Sequence, residues 1–258
     1  MKLGKCIVVL CLVLAVCLTT TQAVNQSCAI GGKQVLELRH YEFADAAHRQ
    51  VMIDFLANTG IPALNRLGIA PVGVFQYADD SMTDLYMLVP HQTMKSVLQT
   101  HTKWLVDSVV KTQTDVVDSP LKDPVYKRIE SSLLLCFDGC PKVEVPTFVD
   151  TRVFQLRIYE SHNEMKAKRK IEMFNSGEIP VFRETGLNPI FFGESLIGSN
   201  MPNLTYMVGF DNPEAQKKAW DAFRVHPKWK EMSSDPYYKD TVSNITNIVL
   251  KPAKGSQI

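Results

Sequence analysis

The chain has 258 residues, with 28 Lys or Arg against 27 Asp or Glu and a formal charge of +1. Hydrophobic residues make up 45% and charged residues 21%, a globular balance that excludes a disordered chain or a coiled coil. The near-neutral charge excludes a strongly basic, nucleic-acid-type surface, and the length allows one large domain or two small ones.

The amino terminus reads as an export signal. Lys2 and Lys5 form a positive start, Cys6–Leu18 is an apolar run of 13, and Thr21-Gln22-Ala23 is a small-x-small ending. Residues 1–23 are therefore expected to be cleaved, giving a secreted or periplasmic protein with no stable membrane span. An uncleaved anchor is the plainer alternative, although 13 residues are short for a bilayer. The large Val16 before Cys17 speaks against a lipid-attachment motif. With Lys2 and Lys5 removed, the 28 cationic and 27 acidic residues leave a charge of −1. Cys28, Cys136 and Cys140 then remain. Cys136 and Cys140 flank an Asp-Gly turn, and a structural disulfide between them is expected. Three cysteines offer no four-ligand zinc spacing, and no metal site is expected. Asn25, Asn203 and Asn244 each open a glycosylation acceptor triplet.

An internal repeat organises the rest. Val35–Glu42 (VLELRHYE) returns as Val153–Glu160 (VFQLRIYE), with five of eight residues identical at an offset of 118. Ile61-Pro62, Gly68 and Pro71 return as Ile179-Pro180, Gly186 and Pro189 at the same offset. Tyr86-Met87 is matched to Tyr206-Met207, and the His101–Trp104 stretch to His226–Trp229. A unit of about 100 residues is a duplicated domain, not a solenoid repeat. The alternating segments 35–42 and 153–160 predict strands. Asp45–Asn58 and its counterpart, with Ala167, Ile171 and Phe174, have helical spacing. Lys166, Lys168, Arg169 and Lys170 fall on the wet side. Both helices are expected to break near Gly60 and Gly177, with Pro62 or Pro180 opening a short second turn that Gly68 or Gly186 ends. Strands follow at 71–77 and 84–89, and at 189–196 and 204–210. Helices are predicted at 92–106 and 213–224, the latter capped by Asn212, and last strands at 131–137 and 243–250. The order βαββαβ, twice, is α+β and ferredoxin-like. The domains are placed at 35–137 and 150–253, joined by a 138–149 linker. Asp107–Ile129 reads as an extra stretch of the first copy.

The openings Leu-Glu-Leu-Arg-His-Tyr-Glu (36–42) and Phe-Gln-Leu-Arg-Ile-Tyr-Glu (154–160), the Ile-Pro turn and a Trp closing the second helix resemble the NIPSNAP family, within the dimeric α/β-barrel superfamily. His101 and His226 depart from it, since the approach to that Trp is usually acidic. The resemblance implies two ferredoxin-like sheets packed face to face, with one chain supplying both halves of a pseudo-dimeric barrel. Relatives include cofactor-independent monooxygenases, haem enzymes and ligand binders, so the fold leaves function open. The family implies binding or scaffolding roles and carries over no catalytic residues.

Strand alternation puts Arg39 and Tyr41 on one face and Leu36, Leu38 and His40 on the other. Arg157 and Tyr159 face apart from Phe154, Leu156 and Ile158 in the same way. The apolar set is expected under the helices. The Arg and Tyr set, with Tyr86 and Tyr206, would then line the barrel interior as a site for a small anionic or carbonyl ligand. The plainer reading pairs Arg39 and Arg157 with Glu37, Glu42 or Glu160. His40, replaced by Ile158 in the second copy, is either a hydrogen-bonded core residue or the general base of a cofactor-independent monooxygenase. His101 and His226 are expected at helix ends, with Trp104 and Trp229 against the sheet. No cofactor is expected, haem ligation by one of the six histidines being the alternative. No phosphate-cradling loop, nucleophile elbow or metal-binding His/Glu helix motif appears. Three readings follow: a binding protein for a small ligand or a protein partner, an enzyme using His40, and an interaction or scaffold module that self-associates through sheet edges.

Overall fold

The computed structural model describes residues 31–146 and 149–258. The signal-type segment 1–23, Asn25 and Cys28 lie outside them. The first unit comprises β1 (Val35–Glu42), α1 (Ala46–Phe55), α2 (Ile61–Arg66), β2 (Gly73–Tyr77), β3 (Leu85–His91), α3 (Met94–Leu105), a short α4 (Thr114–Val117) and β4 (Arg128–Cys136). The second comprises β5 (Val153–Glu160), α5 (Glu164–Met173), α6 (Ile179–Thr185), β6 (Asn188–Ile197), β7 (Asn203–Phe210), α7 (Pro213–Val225), α8 (Pro227–Ser234) and β8 (Asn244–Pro252). The eight strands close into one barrel in the order β1-β3-β2-β8-β5-β7-β6-β4. Two seams join the units. At one, Phe75 of β2 faces Pro252 of β8; at the other, Leu135 of β4 faces Glu194 of β6. Closure pairs every strand on both sides, so self-association through sheet edges, expected for a scaffold, loses its surface.

Local chemistry sets the helix ends. Asp45 Oδ1 accepts from the backbone N–H of Ala47 (2.9 Å) and His48 (3.0 Å), capping α1. Asn212 Oδ1 caps α7 by accepting from Ala215 N (2.8 Å). The expected breaks near Gly60 and Gly177 do not occur. The chain runs through single π-helical turns, Leu56–Gly60 and Phe174–Glu178, directly into α2 and α6. The longer bond from Ile61 N to Leu56 O spans the junction, and Pro62 falls in the first turn of α2. Gly186 then ends α6 at φ 84°, a left-handed conformation that suits glycine.

Alternation along the strands sorts the side chains into three cores, but with the opposite sense to that expected. Leu36, Leu38, Phe75, Leu88, Leu134, Phe154, Leu156, Phe191 and Leu250 fill the barrel interior, joined by Val143 of the linker and Ile258. Arg39, Tyr41, Arg157 and Tyr159 lie instead between the sheet and the helices of their own units. The reason is solvation. The middle of a closed barrel has little access to water and takes the more apolar face, with the polar His40 and Tyr86 towards one end. The layer under the helices has an open rim, where a guanidinium can find a carboxylate or water. The ligand interior expected at the pseudo-two-fold axis is thus a packed core.

Two further expectations are corrected. Cys136 and Cys140 are both free and buried. Cys136, at the end of β4, points into the barrel interior, whereas Cys140 packs with Phe137 and Phe174 under the second unit's helices. The two thiols enter different cores and form no bridge. The extra stretch assigned to the first copy has a counterpart, because a helical excursion separates the last helix from the last strand in both units (106–127 and 226–243). In the first unit it is not a free lid. Val110 and Val125 are buried in the core under α1 and α2, with Val116, Val117 and Tyr126 packed against it.

His48 ties that excursion down. Its Nδ1 lies 2.8 Å from Asp45 Oδ1 and its Nε2 3.0 Å from Asp123 Oδ1. The hydrogen bonds from these two carboxylates raise its pKa above the ordinary 6.5. A raised folded-state pKa gives a contribution that is complete below about 6.5 and lost as the pH rises through the folded value. Amide exchange over 114–125 is therefore expected to quicken as the pH rises above about 6.5, beyond its intrinsic pH dependence. In His48→Gln that excess should vanish.

Candidate functional site

The two units carry the same arginine in different surroundings. In the first, Arg39 Nε and Nη2 fork onto Glu37 Oε1 and Oε2, both at 2.8 Å, and Ser131 Oγ donates to the same carboxylate (2.8 Å). Burial raises the Glu37 pKa, but the Arg39 fork outweighs it and leaves the carboxyl below its ordinary value. Trp104 packs on the π-helical turn of this unit. Its Nε1 donates to Gly60 O (3.0 Å) and its ring packs edge-on against Phe55. Arg39 is thus neutralised by its own strand, as the plainer reading of the sequence has it.

In the second unit, the 118-residue offset replaces Glu37 by Gln155, Met52 by Lys170 and Gly60 by Glu178. These three changes open a site. Gln155 is neutral, and among the described residues no carboxylate forms a salt bridge with Arg157. Arg157 Nε is buried without a hydrogen-bond partner. Its guanidinium lies over the rings of Trp220 (5.0 Å) and Tyr159 (5.3 Å). A cleft of about 490 Å³ opens above it, floored by β5 and β8 and walled by Trp220 and Phe223 of α7 and Trp229 of α8. Lys170 and Glu178 also line it. Their salt bridge is 2.7 Å, with side chains only 5% and 2% exposed. Burial raises the Glu178 pKa despite the neighbouring ammonium. Lys170 therefore does not belong to the wet face of α5.

The polar floor is internally bonded. Trp220 Nε1 donates to Gln155 Oε1 and Gln155 Nε2 donates to Asn247 Oδ1, both at 2.6 Å. Tyr159 and Tyr206 share a hydroxyl–hydroxyl bond of 2.9 Å. Burial pushes both phenol pKa values up, so both remain protonated near neutrality.

The structure thus brings Arg157 and Tyr159 together, with Tyr206 behind, and separates them from Arg39 and Tyr41 in the other unit. Tyr86 and Tyr206 are not equivalent. Arg39 pairs with Met87 and Arg157 with Tyr206, so the match of Tyr86 to Tyr206 is one residue out of register. A slip of one residue reverses the face. Tyr86 consequently points into the barrel interior and Tyr206 under the helices. His40 lies on the interior-facing side of β1, its Nε2 3.1 Å from Asp84 Oδ2 and its ring stacked on Tyr86 at 4.6 Å. His226 joins α7 to α8, closing the carboxyl end of α7 as expected and also capping the amino end of α8. No histidine, cysteine or methionine lines the cleft, and its one tyrosine, Tyr159, is bonded to Tyr206 and kept protonated by burial, so the lining does not fit an axially ligated haem. Among the described residues no group of three or more His, Cys, Asp or Glu could hold a metal ion, and no helix is long and apolar enough to cross a membrane. Of the glycosylation triplets, Asn203 is buried and Asn244 exposed.

Sequence reasoning missed Gln155, Lys170, Glu178, Trp220 and Asn247. The available signal was the broken symmetry of the repeat. An ionisable residue standing where the other copy has Met52 or Gly60 marks a buried charge that packing alone does not require.

Residues 154–257 match the NIPSNAP family. No curated protein matches the chain. Among solved structures, a candidate monooxygenase from Lactobacillus acidophilus aligns over 87% of this chain and 98% of its own, at 13% identity and a TM-score of 0.60. A second candidate monooxygenase, from Fusobacterium nucleatum, aligns over 86% and 94% at 10% identity and a TM-score of 0.57. An anthrone oxidase-like protein aligns over 88% and 95% at 8% identity and a TM-score of 0.52. At such identities the likeness is one of fold. The second unit is thus similar to the NIPSNAP family, and the whole chain has the fold of a dimeric α/β barrel, built here from a single polypeptide.

Proposed function

We propose that this protein binds a small organic anion in the cleft of its second unit. The observation that carries the reading is Arg157, a guanidinium without a carboxylate partner facing an open cleft, where the equivalent Arg39 is forked by Glu37. A planar fork of N–H donors in a partly desolvated aromatic setting recognises a carboxylate or an enolate-like oxygen pair. The volume suits a small molecule. The first unit contributes the other half of the barrel, and its neutralised arginine leaves it a structural role. The positive, apolar and small-x-small run of residues 1–23 supports an exported protein meeting this ligand outside the cytoplasm.

The test is a pair of substitutions read by calorimetric titration with an aromatic carboxylate such as 2-naphthoate. Arg157→Leu is expected to weaken binding at least about tenfold, the scale of a lost charge-assisted fork. Arg39→Leu is expected to leave affinity unchanged. Equal affinity in wild type and a folded Arg157→Leu variant would overturn the proposal.

A further inference from the structure

The anion reading leaves the chemical class of the ligand open, and the cleft narrows it. We infer that its ligand is a planar aromatic monocarboxylate. The inference rests on the proposed anion site and adds the class of molecule.

The unspent hydrogen-bonding groups come first. Gln155 is used at both ends, by Trp220 and Asn247. Glu178 is held by Lys170. The polar groups of the floor left over are donors: the Arg157 guanidinium and the Nδ2 of Asn247, whose Oδ1 is already taken. Arg157 and Asn247 face one another directly across the β5–β8 pair. Two adjacent donors call for two acceptor oxygens on one ligand group, which a carboxylate supplies.

The charge count sets the valence. Lys170 is cancelled by Glu178, while Arg224, at the exposed rim, shares Asp221 with Lys217 (2.6 Å each). On the cleft floor Arg157 alone lacks a carboxylate salt bridge among the described residues, so a single negative charge neutralises the floor. A second carboxylate would be desolvated without a partner.

The walls set the shape of the remainder. Trp220, Phe223 and Trp229 form a continuous aromatic arc, with ring centroids 5.5 Å apart for Trp220–Phe223 and 4.5 Å for Phe223–Trp229. The Trp220 indole is fixed by its bond to Gln155, so the arc is preorganised and its N–H is not free for a ligand. Val242 and Ile245 complete the lining with aliphatic surface. A flat ring system carried beyond the carboxylate meets rings along this arc, and aromatic pairs add attraction beyond the area they bury.

The experiment uses the full chain and four probes, titrated calorimetrically: 2-naphthoate, its saturated analogue decahydro-2-naphthoate, 2-naphthalenemethanol and naphthalene-2,6-dicarboxylate. The expected order places 2-naphthoate about three- to tenfold tighter than the saturated acid. The alcohol and the diacid should bind at least about tenfold more weakly than 2-naphthoate. Trp229→Leu should abolish the preference for the aromatic acid while the saturated acid still binds. Equal binding of the two acids overturns the aromatic assignment and leaves the anion site standing. Equal binding of the diacid overturns the single-charge assignment. Alcohol binding as tight as the acid, or no binding of either acid, overturns the anion site and the inference with it.

Discussion

Phe154→Ala is expected to destabilise the protein by about 3–5 kcal/mol, the range for removing a fully buried ring. Phe154 opens β5 in the second unit. Its ring lies 5.0 Å from that of Phe75, edge to face at 71°, and Phe75 belongs to β2 of the first unit. Both rings are fully buried in the interior cluster. The contact therefore holds the two duplicated units together, and neither unit can fill the gap alone. Urea unfolding followed by tryptophan fluorescence and by circular dichroism checks this. A lower midpoint with an unchanged slope identifies a loss of stability in a still-compact protein. A matching substitution at the exposed Leu98 on α3 should stay within about 0.5 kcal/mol. A loss below about 1 kcal/mol at Phe154 would contradict the packed interior. Two separate unfolding transitions would contradict a core shared by both units.

The repeat made the architecture legible. Five identities in eight residues at a fixed offset located β1 and β5, and the Pro and Gly positions located the second helical turns and their ends. Which strand face lies inside the barrel was not legible. Alternation in Val35–Glu42 separates Leu36 and Leu38 from Arg39 and Tyr41, but period two is blind to which set meets water. Only the closed barrel, with its dry interior, decides it. The same blindness made Tyr86 and Tyr206 look equivalent when one register step places them on opposite faces. The disulfide failed for a related reason. Spacing along the chain brought Cys136 and Cys140 close, while the sheet turned their side chains apart. Of the site, Arg157 and Tyr159 were legible as strand residues. Lys170 was hidden in a run of cations, 166–170, that reads as a solvated helix face. Its burial follows from Glu178, eight residues on and across the π-helical turn, a contact that regular helical spacing does not anticipate.

Lys170→Met is expected to cost about 3–5 kcal/mol at neutral pH, because it strands the buried Glu178 carboxylate. The double change Lys170→Met/Glu178→Gln removes both charges, leaves Met as in the first unit's position 52, and should recover most of that loss. The pH dependence supplies the sharper check. Burial already raises the folded-state pKa of Glu178 above its ordinary value near 4.5, and removing the ammonium raises it further. The folded state then binds more protons than the unfolded state between about 4.5 and the raised value, so stability falls as pH increases through that window. The single variant should lie closest to wild type near pH 4 and furthest from it near pH 8, with urea midpoints as the measurement. The double variant should show no such divergence. A deficit that stays constant with pH would mean that Glu178 has found another cation, and Arg157, whose charge already acts on this carboxylate, is the one within reach. In that case the single variant would also weaken carboxylate binding in the cleft, since the anchoring guanidinium would be spent on the protein's own acid.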